Sequence, residues 1–113
     1  MEALGMIELN SVAQGINAAD AVLKAANVSI VCSQPVCPGK YIIVVNGTVS
    51  AVKASIEAGC IVAGENLLDS MVIPRVHEDV IKAMAGCVDL TGVEALGIME
   101  TYSLPQALLS ADA

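Results

Sequence analysis

Residues 2–21 of the chain return 92 positions later. The first copy reads EALGMIELNSVAQGINAADA, and the second, residues 94–113, reads EALGIMETYSLPQALLSADA. Ten of the 20 aligned pairs are identical, and most of the others exchange apolar residues, as in Met6/Ile98, Val12/Leu104 and Ile16/Leu108. A repeat constrains the fold more than local propensity does, because both copies must be able to open the same structural unit. The offset sets a unit of 92 residues, so the chain holds one unit and the opening of another. The second copy is expected to stop within its first helix, the chain being either a fragment or a single domain with a remnant extension. Without a sheet of its own to complete, segment 93–113 is then poorly ordered, swapped onto a neighbour or packed on the first domain.

One such unit is a small domain, with modest area to bury. Yet 56% of residues are apolar and 15% charged, with no Trp or Phe and only Tyr41 and Tyr102 as aromatics. That excess of aliphatic residues points to a subunit that hides surface against neighbours, hence to an oligomer. The net charge of −7, from 12 acidic and 5 basic residues, argues against nucleic acid and anionic membranes, which need a basic footprint. No apolar run approaches the roughly 18–20 residues of a membrane span. The chain enters a strand-like segment at once, without a signal peptide, so a cytosolic address is expected. There, cysteines are reduced thiols or ligands rather than disulfides.

Apolar spacing and turn residues divide the chain. Met1–Leu9 reads as a strand, and Ser11 caps a helix over Val12–Ala26. Val28–Val36 is a β-branched strand, broken by Pro35, Pro38 and Gly39 into the tight turn Cys37-Pro38-Gly39-Lys40. Tyr41–Val45 is the next strand, Thr48 caps a helix through Val52, Ile56 and Cys60, Leu67–Ile73 is a fourth strand, and His77–Ala85 is a short helix. Glu94–Thr101 and Ser103–Ala113 repeat the first strand and the start of the first helix. The order β-α-β-β-α-β-α predicts an α+β, ferredoxin-like split βαβ fold, an antiparallel four-stranded sheet with helices on one face. The division is a domain over 1–86, a linker over 87–92, and the start of a second repeat over 93–113.

Leu4-Gly5-x-Ile7-Glu8, Asp20-x-x-x-Lys24-Ala25-Ala26-Asn27-Val28, Pro38-Gly39-Lys40-Tyr41, Gly47-x-Val49-x-Ala51-Val52 and Val72-Ile73-Pro74-Arg75-x-His77 together resemble the bacterial microcompartment (BMC) shell domain. The likeness runs over residues 2–85, with several motifs in order at matching spacing. It implies the ferredoxin-like fold and a role in the shell of a cytoplasmic microcompartment. Domains of this family assemble as hexagonal tiles with a central pore, tiles meeting other shell proteins edge to edge. The repeat is similar to tandem-domain members that form pseudohexagonal trimers, including a type from propanediol-utilising compartments with a cysteine in the pore loop. In that type the cysteine holds a [4Fe–4S] cluster shared between subunits. A tandem trimer would present three Cys37 thiolates, and a hexamer of the first domain six.

By residue type alone, Cys37 is either a buried inert thiol or a ligand in a stiff, glycine-bearing loop with the Lys40 charge close by. The resemblance selects the second, giving Cys37, Pro38, Gly39 and Lys40 as the pore loop and Cys37 as the metal ligand. Cys32, Cys60 and Cys87 form no C-x-x-C or ferredoxin spacing with it and read as packing or exposed residues. His77 is the sole histidine, so a His-based triad or metal cluster within one chain is not expected. The resemblance places Lys24, Asn27, Arg75 and His77 at tile-edge contacts, while by themselves Lys24 and Arg75 read equally as solvated charges. Glu8, Glu57, Glu65 and Asp69 lack the spacing of a catalytic carboxylate pair and read as polar-face or junction residues. An enzyme is not expected. The expected function is a shell tile whose pore carries a cluster for electron transfer or cluster delivery, with encapsulated redox enzymes as further partners. The alternative is a plain tile whose pore conducts small metabolites.

Overall fold

A computed structural model describes residues 2–113. Its strands are β1 (Ala3–Leu9), β2 (Ser29–Val36), β3 (Lys40–Gly47) and β4 (Leu67–Ile73). Its helices are α1 (Val12–Ala25), α2 (Val49–Ala63), α3 (Glu78–Met84) and α4 (Leu104–Asp112). The expected start of the first strand at Met1 lies outside the described residues. The sheet order is β2-β3-β1-β4, antiparallel throughout, which is the split βαβ arrangement.

The central strand explains the two-sided packing. All seven residues of β1 are buried, because alternate side chains serve two separate cores. Ala3, Ile7 and Leu9 join Ala18, Val22, Ile43, Val52 and Ile56 beneath α1 and α2. Leu4 and Met6 point the other way, into a second cluster with Val44, Ile73, Val76, Val80 and Leu108. The two long helices share one face as expected, and α3 and α4 add a layer on the other.

The caps fall where the residue types put them. Ser11 accepts from the Gln14 N–H at 3.2 Å, and Thr48 from the Ala51 N–H at 3.3 Å. Gly64, at φ 54°, ends α2 by donating its N–H to the Cys60 carbonyl. Within α1, Gly15 is required by close approach: a Cβ there would lie 2.4 Å from the Tyr41 ring.

One expected element is absent. Glu94–Thr101 forms no strand, whereas α4 does follow, capped by Ser103. In the first copy, β1 is paired along both edges, by β3 and β4. Among the described residues no strand pairs with Glu94–Thr101, and a strand without a ladder has no partners for its backbone groups. Residues 93–102 are therefore exposed while α4 packs on the first domain.

Candidate functional site

The loop Cys37–Lys40 joins β2 to β3. Its register is set by the pairs Pro35/Tyr41 and Val36/Lys40, so Cys37, Pro38 and Gly39 project beyond the sheet. A hydrogen bond of 2.9 Å between the Ser33 hydroxyl and the Tyr41 hydroxyl ties the two strands just before the turn. Gly39 has φ 66°, a left-handed conformation that glycine adopts without strain, and the space around it is open. Cys37 is exposed, which removes the reading of a buried inert thiol. Pro38 and Gly39 are exposed and Lys40 is half-buried.

Strand direction separates the loop from the expected edge residues. Ala3 pairs with Gly47 and Leu4 with Ile73 at one end of β1; Leu9 pairs with Tyr41 and Leu67 at the other. The loop lies at the Leu9 end. Lys24 in the last turn of α1, Asn27 before β2, and Arg75 just past β4 belong to the Ala3 end, about 20 Å away along a seven-residue strand. Lys24 and Asn27 are exposed, and Lys24 meets Asp20 at 2.8 Å. Arg75 is exposed at φ 56°, the one non-glycine residue with positive φ among those described. His77 is exposed. Its Nδ1 accepts from the Asp79 N–H at 3.2 Å and caps α3.

The remaining thiols differ in environment. Cys32 and Cys60 are partly covered, against the second and first core respectively, and Cys87 is exposed. Burial pushes the Cys32 thiol above its ordinary value. Among the described residues no three His, Cys, Asp or Glu side chains converge as metal ligands. One chain thus supplies a single exposed thiol at the loop.

Two carboxylates acquire a role that spacing alone did not show. Glu8 and Asp69 face each other across β1 and β4. Together with Pro38, Gly39, Lys40 and the start of α4 they line a groove of about 430 Å³ beside the loop. The Leu104 N–H donates to Glu8 Oε2 at 3.3 Å, and the Ser103 hydroxyl donates to Asp69 Oδ2 at 2.6 Å. Negative charge at a helix N-terminus is favourable, and Glu8 meets it while only 5% exposed. The signal in the sequence was alternation: Glu8 follows Leu4 and Met6 on the face turned away from α1.

The family model described as BMC domain matches residues 3–76. The bacterial microcompartment shell protein PduT of Citrobacter freundii is 40% identical over 111 residues, covering 98% of this chain and 60% of that protein. The shell protein PduA of Salmonella typhimurium is 43% identical over 86 residues, covering 74% of this chain and 90% of its own length. A crystal structure of a microcompartments protein from Desulfitobacterium hafniense superposes with TM-score 0.90 at 46% identity, covering 99% of this chain and 62% of that one. The chain therefore spans about 60% of the length of the PduT relative and 62% of that solved structure.

Proposed function

The chain belongs to the BMC-domain family, and from that premise we propose that it is a shell protein of a bacterial microcompartment in the cytoplasm, a building unit and not an enzyme. Its tile is hexagonal or pseudohexagonal and joins other shell proteins, with the loop Cys37–Lys40 lining the central pore. Residues 93–113 are the opening of a second BMC repeat after a domain over 1–86 and a linker over 87–92. Likeness to PduT over 98% of the chain supports a tandem member of the propanediol-utilisation type.

At the pore, Cys37 is a ligand of a [4Fe–4S] cluster shared between subunits. The observation that supports this is the exposed thiol at the tip of the turn that joins β2 to β3. When bound, the cluster supplies one-electron transfer across the shell, or is itself cargo for encapsulated redox enzymes. The chain's own contribution is positional. Gly39 permits the left-handed turn, the Ser33–Tyr41 bond ties the flanking strands, and Lys40 brings positive charge close to the thiol.

Protein purified without oxygen should be brown and contain iron, and Cys37→Ser should be colourless yet assembled. A Cys37→Ser protein that keeps iron and colour overturns the cluster. A wild-type protein that assembles but is colourless and iron-free under the same conditions leaves the plain metabolite pore.

A further inference from the structure

Asn46 is the one asparagine of five that precedes a glycine; the others precede Ser11, Ala18, Val28 and Leu67. An asparagine side chain is open to attack by the backbone nitrogen of the next residue, and a Cβ on that residue shields the nitrogen. Gly47 has no Cβ. The fold places this pair at the last rung of β3 on both sides. Asn46 faces Ser29, the first residue of β2, and Gly47 faces Ala3, the first residue of β1. Both are half-buried, and Thr48, which follows at once, caps α2.

We propose that Asn46-Gly47 is a modification site, a deamidation switch gated by the opening of this end of the sheet. The Gly47 nitrogen bonds to Asn46 Cγ, the Cγ–Nδ2 bond breaks, and the side-chain nitrogen leaves as ammonia with the Gly47 proton. Water then opens the five-membered imide at one of its two carbonyls, leaving aspartate or isoaspartate. Asparagine counts among the thermolabile residues through such chemistry. Ring closure requires the Asn46 backbone to leave the extended conformation of a strand, so the intact ladder is the lock. The lock sits at a terminal rung, where local opening costs less than at the centre of the sheet.

The product changes the end of the sheet that produced it. Asn46 Nδ2 donates to Glu2 Oε2 at 2.9 Å. Aspartate at position 46 is ionised at neutral pH and has no donor to offer, so two carboxylates meet where a hydrogen bond stood. The field of α2 favours negative charge but fades within its first turn, and position 46 lies outside that turn. Glu2 leads directly into β1, so repulsion there loosens the rung that held Asn46 extended. Isoaspartate goes further, inserting a backbone carbon just before the Thr48 cap. The Asn27 carbonyl, 3.4 Å from a Cβ built on Gly47, belongs to the same end as Lys24 and Arg75. Deamidation is one-way, so each chain records how often this end has opened.

Peptide-resolved mass spectrometry tests this on the 113-residue chain at mildly alkaline pH, beside the free peptide Val44–Ser50. The folded chain should gain one mass unit at Asn46 alone, about tenfold or more slowly than the peptide, and faster in urea below the unfolding transition. Asn46→Gln should hold the mass constant. Asn46→Asp should lower the urea midpoint, and adding Glu2→Gln should restore most of that loss. An Asn46→Asp chain that folds only once Glu2→Gln is added supports the switch equally. No gain at Asn46 while the peptide converts fully overturns the site. A gain as fast as the peptide's, or indifferent to urea, overturns the gate. An Asn46→Asp midpoint equal to wild type, or one that Glu2→Gln does not recover, overturns the switch.

Discussion

Residues 3–9 and 95–101 share most of their sequence and none of their environment. Leu4, Met6 and Ile7 are fully buried, while Leu96, Ile98 and Met99 are 83%, 85% and 59% exposed. The first stretch is the most enclosed strand of the sheet and the second forms no strand. Local propensity is nearly equal, so the difference measures what cross-strand partners contribute. A strand gains little from its own residues until a ladder satisfies its backbone and two layers cover its faces. The helices teach the complementary lesson, since α1 and α4 both form. A helix closes its own hydrogen bonds and needs only a surface for one face.

Paired substitutions at equivalent positions break or sharpen this contrast. The largest effect is expected in the buried strand. Met6→Ala should cost about 2–5 kcal/mol in denaturant unfolding, whereas Ile98→Ala, at the equivalent exposed position, should stay within about 0.5 kcal/mol. Equal losses would mean that the second copy is buried in solution. Next come the glycines. A Cβ on Gly5 would lie 2.5 Å from Val52 Cγ1 and 2.6 Å from Ile56 Cγ1, while nothing lies within 4 Å of one on Gly97. Gly5→Ala should therefore destabilise by about 1–3 kcal/mol through overpacking, and Gly97→Ala should be close to neutral.

A smaller contrast concerns the carboxylates. Glu8→Gln removes the charge that meets the α4 start and should weaken docking by about 1 kcal/mol or less, read as faster hydrogen exchange of α4 amides. Glu100→Gln should leave exchange unchanged. The smallest effect separates thiols of the sheet and the tail. Burial raises the folded-state value of Cys32, so its contribution to stability is full below the unfolded thiol's value and is lost as pH rises through the folded one. At mildly alkaline pH, iodoacetamide should label exposed Cys87 well before Cys32, and equal rates would contradict the burial.

Most of the fold was legible because its signals are local. Ser11 and Thr48 announce helix starts, the run Cys37–Lys40 announces a turn, and Leu67–Ile73 has the bounds expected of it. The loop cysteine was legible by resemblance, and its exposure was not, since free thiols of that size pack in cores as readily as they face water. The Glu8–Asp69 pair was not legible as a site. The two residues are distant in sequence, and only the pairing of β1 with β4 sets them opposite each other.

The repeat itself determined that one unit is 92 residues long and that its first helix is written twice with a Ser cap and apolar residues on two sides. It did not determine which side would be buried. Tertiary structure decided that, since α1 follows a strand with its own sheet beneath it and α4 follows a segment that pairs with no strand among the described residues. Hydrophobic burial is non-directional, and an apolar face settles on whatever surface remains uncovered. For α4 that surface is the far side of the first domain, where Leu4 and Met6 were already turned outward by the alternation of β1.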